Sequence, residues 1–161
     1  MKKNSLYVVA ALFGLAHACV IVAEGAQQLA EEQSARPLSA FFGLDNNLPF
    51  GANVLCLGAS GEDGMPVVLS HTINPDSLQA EDFRVVRQSG AISTPMCVTL
   101  RPAGDMDENR TVLLIGEFGN VDDDPPVKVL IVDDVLSDVT DSPQVNFRGT
   151  TKIHLGAVGD V

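Results

Sequence analysis

The sequence predicts an all-β protein, an antiparallel β-sandwich of about seven or eight strands. From residue 52 onward, short segments rich in β-branched residues alternate with turn sequences rich in Gly, Pro, Asp and Ser. No long 3.6-residue periodicity interrupts them, which argues against helices. The strands recur at intervals of roughly 10 residues, a spacing typical of sandwiches, with a small barrel as the alternative.

Alternation and apolar runs define each predicted strand. The predicted strands are Ala52–Leu57, Pro66–Ser70, Phe83–Gln88, Met96–Arg101, Thr111–Phe118, Val127–Val132, Val145–Arg148 and Thr151–Leu155. Residues 112–115 and 129–132 are continuous apolar runs, as expected of central strands partly covered on both faces. In the fourth strand, side chains alternate between faces, so Cys97 lies outside the core if Val98 faces it.

The N-terminal segment has the layout of a secretory signal. Lys2 and Lys3 precede an apolar run over residues 6–22, and small residues follow. Cleavage after Ala18 or after Gly25 fits the small-residue rule, and we take 1–25 as the signal peptide. A lipid on Cys19 and an uncleaved membrane anchor are the alternatives. The predicted protein is therefore exported, to the periplasm, the cell surface or the medium.

Two further regions follow the signal. Residues 26–50 are predicted to form an N-terminal linker, part of which docks on the edge of the domain through its apolar side chains. Residues 51–161 form a single domain, long enough to bury a core of its own.

Cysteine usage agrees with export. Cys56 and Cys97 remain after the later cleavage and are candidates for a disulfide in an oxidising compartment. Closing a loop of that length would stabilise the fold by roughly 4 kcal/mol in the chain-entropy description. Two buried free thiols are the alternative.

One segment resembles a known family. Residues 65–78, MPVVLSHTINPDSL, followed by DFRV at 82–85, are similar to the opening of bacterial immunoglobulin-like domains of the surface-layer type. In that family a strand ends near Ser, an Asp/Asn-Pro turn leads to Ser/Thr-Leu, and a second strand begins Phe-x-Val. The chain departs from the pattern at His71-Thr72, where such domains often carry an acidic residue or Lys and then Pro. The resemblance implies an immunoglobulin-like sandwich with a structural or adhesive role and no catalytic residues.

The chain is acidic, with a formal net charge of −11. This charge excludes nucleic acid as a partner, because phosphate binding needs a basic surface. It also disfavours anionic lipid, so membrane contact is expected only through the signal segment or a lipid on Cys19.

Acidic residues cluster at both ends of the strand Val127–Val132. Calcium takes 6 to 8 oxygen ligands, which sandwich loops can supply. The candidate ligands are Asp122, Asp123, Asp124, Asp133 and Asp134. A six-residue strand separates the two groups by roughly 20 Å, so one ion cannot join them without another loop. Solvated turn residues are the other interpretation, and no other cofactor is expected.

The sequence lacks a catalytic motif. Beyond the signal, His71 and His154 are the imidazoles. On a strand, Ser70 and His71 would face opposite ways and could not pair as nucleophile and base. Residues 58–62 resemble a nucleophile elbow but have Glu62 in place of its second Gly. We therefore expect no enzyme, and a hydrolase is the least favoured function.

These observations predict an exported, non-catalytic immunoglobulin-like module with a binding or structural role at the cell envelope. Its partner would be an envelope or extracellular protein, recognised by surface complementarity or by strand addition at a sheet edge. The alternative is a calcium-stabilised envelope or adhesion domain that uses the Asp-rich loops.

Overall fold

Alternating apolar residues build nine β-strands in the part of the chain described by the structure, a computed structural model covering residues 34–106, 108–141, 143–153 and 155–157. All nine lie within one compact unit, Ala35–Val161. The strands are β1 (Pro37–Phe42), β2 (Asp63–Leu69), β3 (Phe83–Arg87), β4 (Ile92–Ser93), β5 (Cys97–Thr99), β6 (Thr111–Gly116), β7 (Pro126–Ile131), β8 (Thr151–Ile153) and β9 (Gly156–Ala157).

The strands form two sheets. The first has the order β5-β6-β2-β1-β9, and the second has the order β4-β3-β7-β8. Neighbouring strands are antiparallel except for β1 and β9, which pair in parallel. The described residues contain short 3₁₀ helices and no α-helix. The predicted all-β class is therefore correct.

Side chains from both sheets meet in one core. Met65 and Val67 of β2 are fully buried, and so are Phe83 of β3 and Val129 of β7 in the second sheet. All four belong to the same cluster of buried apolar residues. Each such side chain contributes roughly 1.5–3 kcal/mol by leaving water. Two sheets that share a core have the arrangement of a β-sandwich, as the strand pattern predicts.

Strand β6 is covered on both faces. Val112 and Leu114 point into the main core, whereas Leu113 and Ile115 point away from it, into a second and smaller apolar cluster. The continuous apolar run of β6 thus has the predicted cause. In β7 the outward-facing Leu130 is only partly buried, so only one face of this strand is fully covered.

Two predicted strands are wrong. Ala52–Leu57 was expected to be extended, but residues Phe50–Val54 form a 3₁₀ helix. The segment Val145–Arg148 contributes only an isolated bridge between Asn146 and Leu136. Both segments are only four to six residues long, and the pattern of so short a segment does not separate the alternatives.

The predicted linker contains a strand. Residues 37–42 lie in the 26–50 segment assigned to the linker, yet they form β1 and pair with β2 along the first sheet. A register shift between Pro37 and Ser39 breaks the regular alternation of β1. The signal peptide 1–25, Cys19, the start of the linker and His154 lie outside the described residues.

No helix among the described residues has the length and apolar character needed to cross a bilayer.

Candidate apolar binding groove

A loop lies across the outer face of the first sheet and creates the candidate site. We call residues 43–62 the cover segment. Its two ends are tied together, because Leu48 N–H donates to the Glu62 carbonyl at 3.1 Å and Gly61 N–H donates to the Leu48 carbonyl at 2.9 Å. The Asn53 side chain accepts from Gly58 N–H and Ser60 N–H, each at 3.1 Å. The cover segment is therefore an ordered layer with its own hydrogen bonds.

A disulfide joins the cover segment to the sheet. Cys56 is bonded to Cys97 of β5, and their Cα atoms are 6.4 Å apart. Cys97 faces away from the main core, as the alternation predicts, and packs against the second cluster with Leu48, Ala52 and Ile115. The bridge thus pins the cover segment to the sheet.

The cover segment shields only part of the outer face. Cys97, Ile115 and Gly64 lie side by side across β5, β6 and β2, beneath the segment. The next outward-facing row, two residues further along, contains Leu113 and Pro66. This row is less completely covered, so apolar side chains of the sheet form the floor of an open groove.

The groove has a volume of about 730 Å³. The cover segment forms one wall, the turn at residues 101–103 forms another, and outward-facing residues of β2 and β6 form the floor. The lining residues are Leu44, Leu48, Pro49, Gly51, Ala52, Val54, Leu55, Pro66, Arg101, Pro102, Ala103, Thr111 and Leu113. Most are aliphatic, and Arg101 is the single charged residue in this described lining.

Highly exposed apolar side chains stand next to the groove. Phe50, Val54 and Leu57 of the cover segment are 82%, 87% and 92% exposed, respectively. Scattered exposed apolar residues are ordinary, but these three lie within one eight-residue stretch that also supplies residues to the lining of the groove.

A buried carboxylate fixes the start of the cover segment. Asp63 is almost fully buried, and it accepts hydrogen bonds from Asn46 N–H at 2.8 Å and Phe118 N–H at 2.6 Å. Desolvation by burial raises the pKa of Asp63, and the two backbone hydrogen bonds offset part of that rise. Asp63 thereby connects the cover segment to the chain that follows β6.

The predicted calcium ligands do not converge. Asp124 lies against Ser89, whose N–H and hydroxyl donate to its carboxylate at 2.8 and 2.9 Å. The Ser89 N–H is the largest cause of the lowered pKa of Asp124. The backbone N–H groups of Asp122 and Asp123 both donate to the Asn120 side chain, which closes a turn.

At the other end of β7, Asp133 and Asp134 both approach Arg148, at 3.2 and 3.4 Å. The Asn146 amide donates to Asp134 at 2.8 Å and is the largest cause of its lowered pKa. Within the described part of the chain, no group of three or more His, Cys, Asp and Glu residues could hold a metal ion.

The Ser70–His71 pair corrects a sequence-based expectation. The two side chains were expected to face opposite ways, but Ser70 Oγ and His71 Nδ1 are 2.9 Å apart. Strand β2 ends at Leu69, so the pair lies in a bend where the alternation of a strand no longer holds. The His71 ring packs edge-on against Phe147, with ring centroids 6.2 Å apart. Neither residue lines the groove.

Sequence reasoning found the cysteine pair but missed the groove. Leu113 carried a usable signal, because an outward-facing Leu in a continuous apolar strand requires something to cover it. No sequence signal placed Arg101 and the cover-segment side chains at the groove, since their proximity depends on long-range packing.

No protein-family model, curated protein or solved structure matches this chain at a significant level.

Proposed function

We propose that this chain is an exported, non-catalytic immunoglobulin-like module that binds a component of the cell envelope or its surroundings through the apolar groove. The groove is the observation that carries the proposal. Ligand sites are typically apolar concavities of roughly 300–1,000 Å³ with few polar groups, and the groove has this character. The exposed side chains of Phe50, Val54 and Leu57 extend the apolar surface beyond its rim.

The order of the strands supports the immunoglobulin-like assignment. If β1 to β8 stand for strands A, B, C, C′, D, E, F and G, the first sheet has the order D-E-B-A, followed by β9, and the second has the order C′-C-F-G. Immunoglobulin domains arrange A, B, E and D in one sheet and C, F and G in the other. The disulfide differs, since Cys56–Cys97 joins the A–B connection to strand D instead of joining strands B and F.

The chemistry of the groove supports a binding role. None of its described lining residues carries an imidazole, thiol or carboxylate, the groups that most often act as bases or nucleophiles. The Ser70–His71 pair lies elsewhere, with the imidazole against Phe147.

An affinity-capture experiment tests the proposal. The full chain is immobilised and exposed to envelope extract of its own source, beside the variants Gly51→Trp and Ile92→Trp. Gly51 lines the groove, and a Cβ at this position meets no atom within 4 Å, so the indole can occupy the groove without disturbing the backbone. Ile92 is an exposed residue of β4 in the other sheet and supplies the matched control.

We expect a component that wild type and Ile92→Trp retain and Gly51→Trp loses. Circular dichroism and melting curves verify that all three proteins are folded. Equal retention by the two Trp variants, or no specific retention by wild type, would show that the groove is not the binding surface.

A further inference from the structure

We propose that Asn109 is an N-glycosylation site, whose side-chain amide carries an oligosaccharide in the exported protein. This inference rests on the export that the proposed function includes, because oligosaccharide is transferred to asparagine on exported chains. It follows from a sequence motif and from the position of that motif in the fold.

The motif is Asn109-Arg110-Thr111, in which a hydroxyl residue stands two positions after an asparagine. An asparagine followed by any residue except Pro and then by Ser or Thr is the acceptor pattern for N-glycosylation. Asn109 is the only asparagine of the sequence that lies in this pattern. The motif therefore selects one side chain as the candidate acceptor.

The structure places the motif at the surface. Asn109 and Arg110 form the turn that precedes β6, and β6 begins at Thr111. Asn109 and Thr111 are both partly exposed. The side chain of Arg110 is 43% exposed, and it pairs with the Glu108 carboxylate at 3.4 Å. A surface turn of this kind is where a glycosylated asparagine is expected.

The amide nitrogen of Asn109 is free to carry a substituent. A Cβ at Gly104 would lie 3.0 Å from Asn109 Oδ1, so the amide oxygen faces the 3₁₀ turn Ala103–Met106. The nitrogen, on the other branch of the planar amide, has no hydrogen-bond partner within the described residues. It is also not one of the buried unpaired polar atoms of that part of the chain, so it reaches solvent. A glycan on Asn109 Nδ2 would therefore break no hydrogen bond of the fold.

The main chain of the motif is paired once the protein has folded. The Asn109 carbonyl accepts from Ile73 N–H at 2.9 Å, and the Arg110 carbonyl accepts from Leu69 N–H at 2.8 Å. A transferase has to hold the acceptor segment apart from such neighbours. We therefore place the transfer during export, before these bonds form.

The co-substrate is a lipid-linked oligosaccharide diphosphate, which the cell supplies. Asn109 Nδ2 attacks the anomeric carbon of the first sugar and loses one proton. A bond forms between this nitrogen and the anomeric carbon, while the bond from that carbon to the diphosphate oxygen breaks. The lipid diphosphate leaves with the electron pair of the broken bond, so nothing is oxidised or reduced.

The test is the intact mass of the full chain, produced in its own source with a C-terminal affinity tag and isolated from the exported fraction. We expect one added oligosaccharide per chain. Fragmentation of the peptide that contains Asn109 should place the oligosaccharide on this residue. The same protein from a host without glycosylation enzymes supplies the unmodified reference mass.

Three variants locate the site. Asn109→Gln and Thr111→Val should each abolish the added mass, since the first removes the acceptor and the second removes the hydroxyl of the motif. Thr111→Ser keeps the hydroxyl and should keep the modification. Asn47→Gln, which changes an exposed asparagine followed by Leu-Pro, is the matched control and should be modified as wild type is. Melting curves of the unmodified forms verify that every variant folds.

The outcomes separate this inference from the proposed function. An exported protein with the mass of the unmodified chain would overturn the inference and leave the proposed function standing. An added mass that persists in Asn109→Gln would place the modification elsewhere and would also overturn it. A chain found only inside the cell and without a glycan would contradict both this inference and the exported location in the proposed function.

Discussion

The buried carboxylate of Asp63 shows how much depends on single polar groups in this fold. Asp63 lies at the first position of β2, where its two oxygens accept from Asn46 N–H and Phe118 N–H. These two backbone groups belong to different loops, so one side chain satisfies donors that sheet pairing leaves over. Burial disfavours the ionised form of Asp63, whereas the two hydrogen bonds favour it.

Replacing Asp63 by Asn should destabilise the protein by roughly 1–3 kcal/mol, because an amide nitrogen replaces one of the two acceptors and faces an N–H group. Urea unfolding followed by circular dichroism at neutral pH measures the loss. Asp123→Asn, which changes an exposed turn residue, provides the control and should have little effect.

The pH dependence of this substitution has a definite sign. The folded-state pKa of Asp63 is raised above its ordinary value of 3.8, so the folded protein binds this proton more tightly than the unfolded chain does. The stabilising contribution is complete below 3.8 and is lost as pH rises through the raised pKa. The destabilisation caused by Asp63→Asn should therefore shrink over that window. A destabilisation that instead grows with pH would contradict the raised pKa.

Gly64 allows the cover segment to approach the sheet closely. A Cβ at Gly64 would lie 3.1 Å from Leu44 Cδ1 and 3.2 Å from Leu48 Cδ2. Gly64→Ala should destabilise the protein by about 1 kcal/mol, since overpacking outweighs the gain from a stiffer backbone. In a Leu48→Ala background the contacts with Leu48 are gone and only the contact with Leu44 remains, so the same change should be less destabilising. Additive effects in this double-mutant cycle, measured by urea unfolding, would rule out the contact.

At the level of elements, the cover segment depends on the Cys56–Cys97 bridge. The cysteines are 41 residues apart, and removing such a link should cost roughly 4 kcal/mol in the chain-entropy description. The Cys56→Ala/Cys97→Ala double variant should show this loss in urea unfolding. Amide exchange should accelerate most at Cys56 and Gly61, whose N–H groups bond within the cover segment, and least at the central strands β2 and β6. Uniform acceleration across both regions would mean that the bridge does not act locally.

Secondary structure was predictable where alternation was regular. The sequence pattern predicted strands β3 and β6. The continuous apolar run of β6 also predicted that both of its faces are covered. The 3₁₀ helix Phe50–Val54 was not predictable, because its neighbourhood satisfies two patterns at once. Ala52 and Cys56 are both buried, and residues four apart share a face in a helix as well as in a strand.

The groove was beyond sequence reasoning for a different reason. Its walls come from the cover segment and the turn at residues 101–103, and its floor comes from β2 and β6. These parts are far apart in sequence, and a single sequence does not show which strands pair. Cys56 and Cys97 were the exception, since the chemistry of the cysteines suggested a long-range contact that the structure contains.

At the scale of the whole molecule, several acidic residues at the ends of β7 order the loops in which they lie. The acidic clusters suggested calcium binding, but three of the five candidate carboxylates, Asp124, Asp133 and Asp134, have donors from their own chain. Ser89 donates to Asp124, Arg148 pairs with Asp133, and the Asn146 amide and Arg148 both reach Asp134. A cation entering either loop would have to displace these partners.

Calcium should therefore leave the stability of the protein unchanged. A ligand that binds only the folded state raises the melting temperature in proportion to the logarithm of its concentration, once that exceeds the dissociation constant. Melting curves of the full chain in millimolar calcium and in excess chelator should coincide, because Ser89, Asn146 and Arg148 already hold the Asp-rich loops. A matched magnesium series controls for general screening of the acidic surface, which both ions provide equally. If calcium but not magnesium raised the melting temperature, and Asp134→Asn abolished this rise, the result would contradict this account and support the calcium-stabilised alternative.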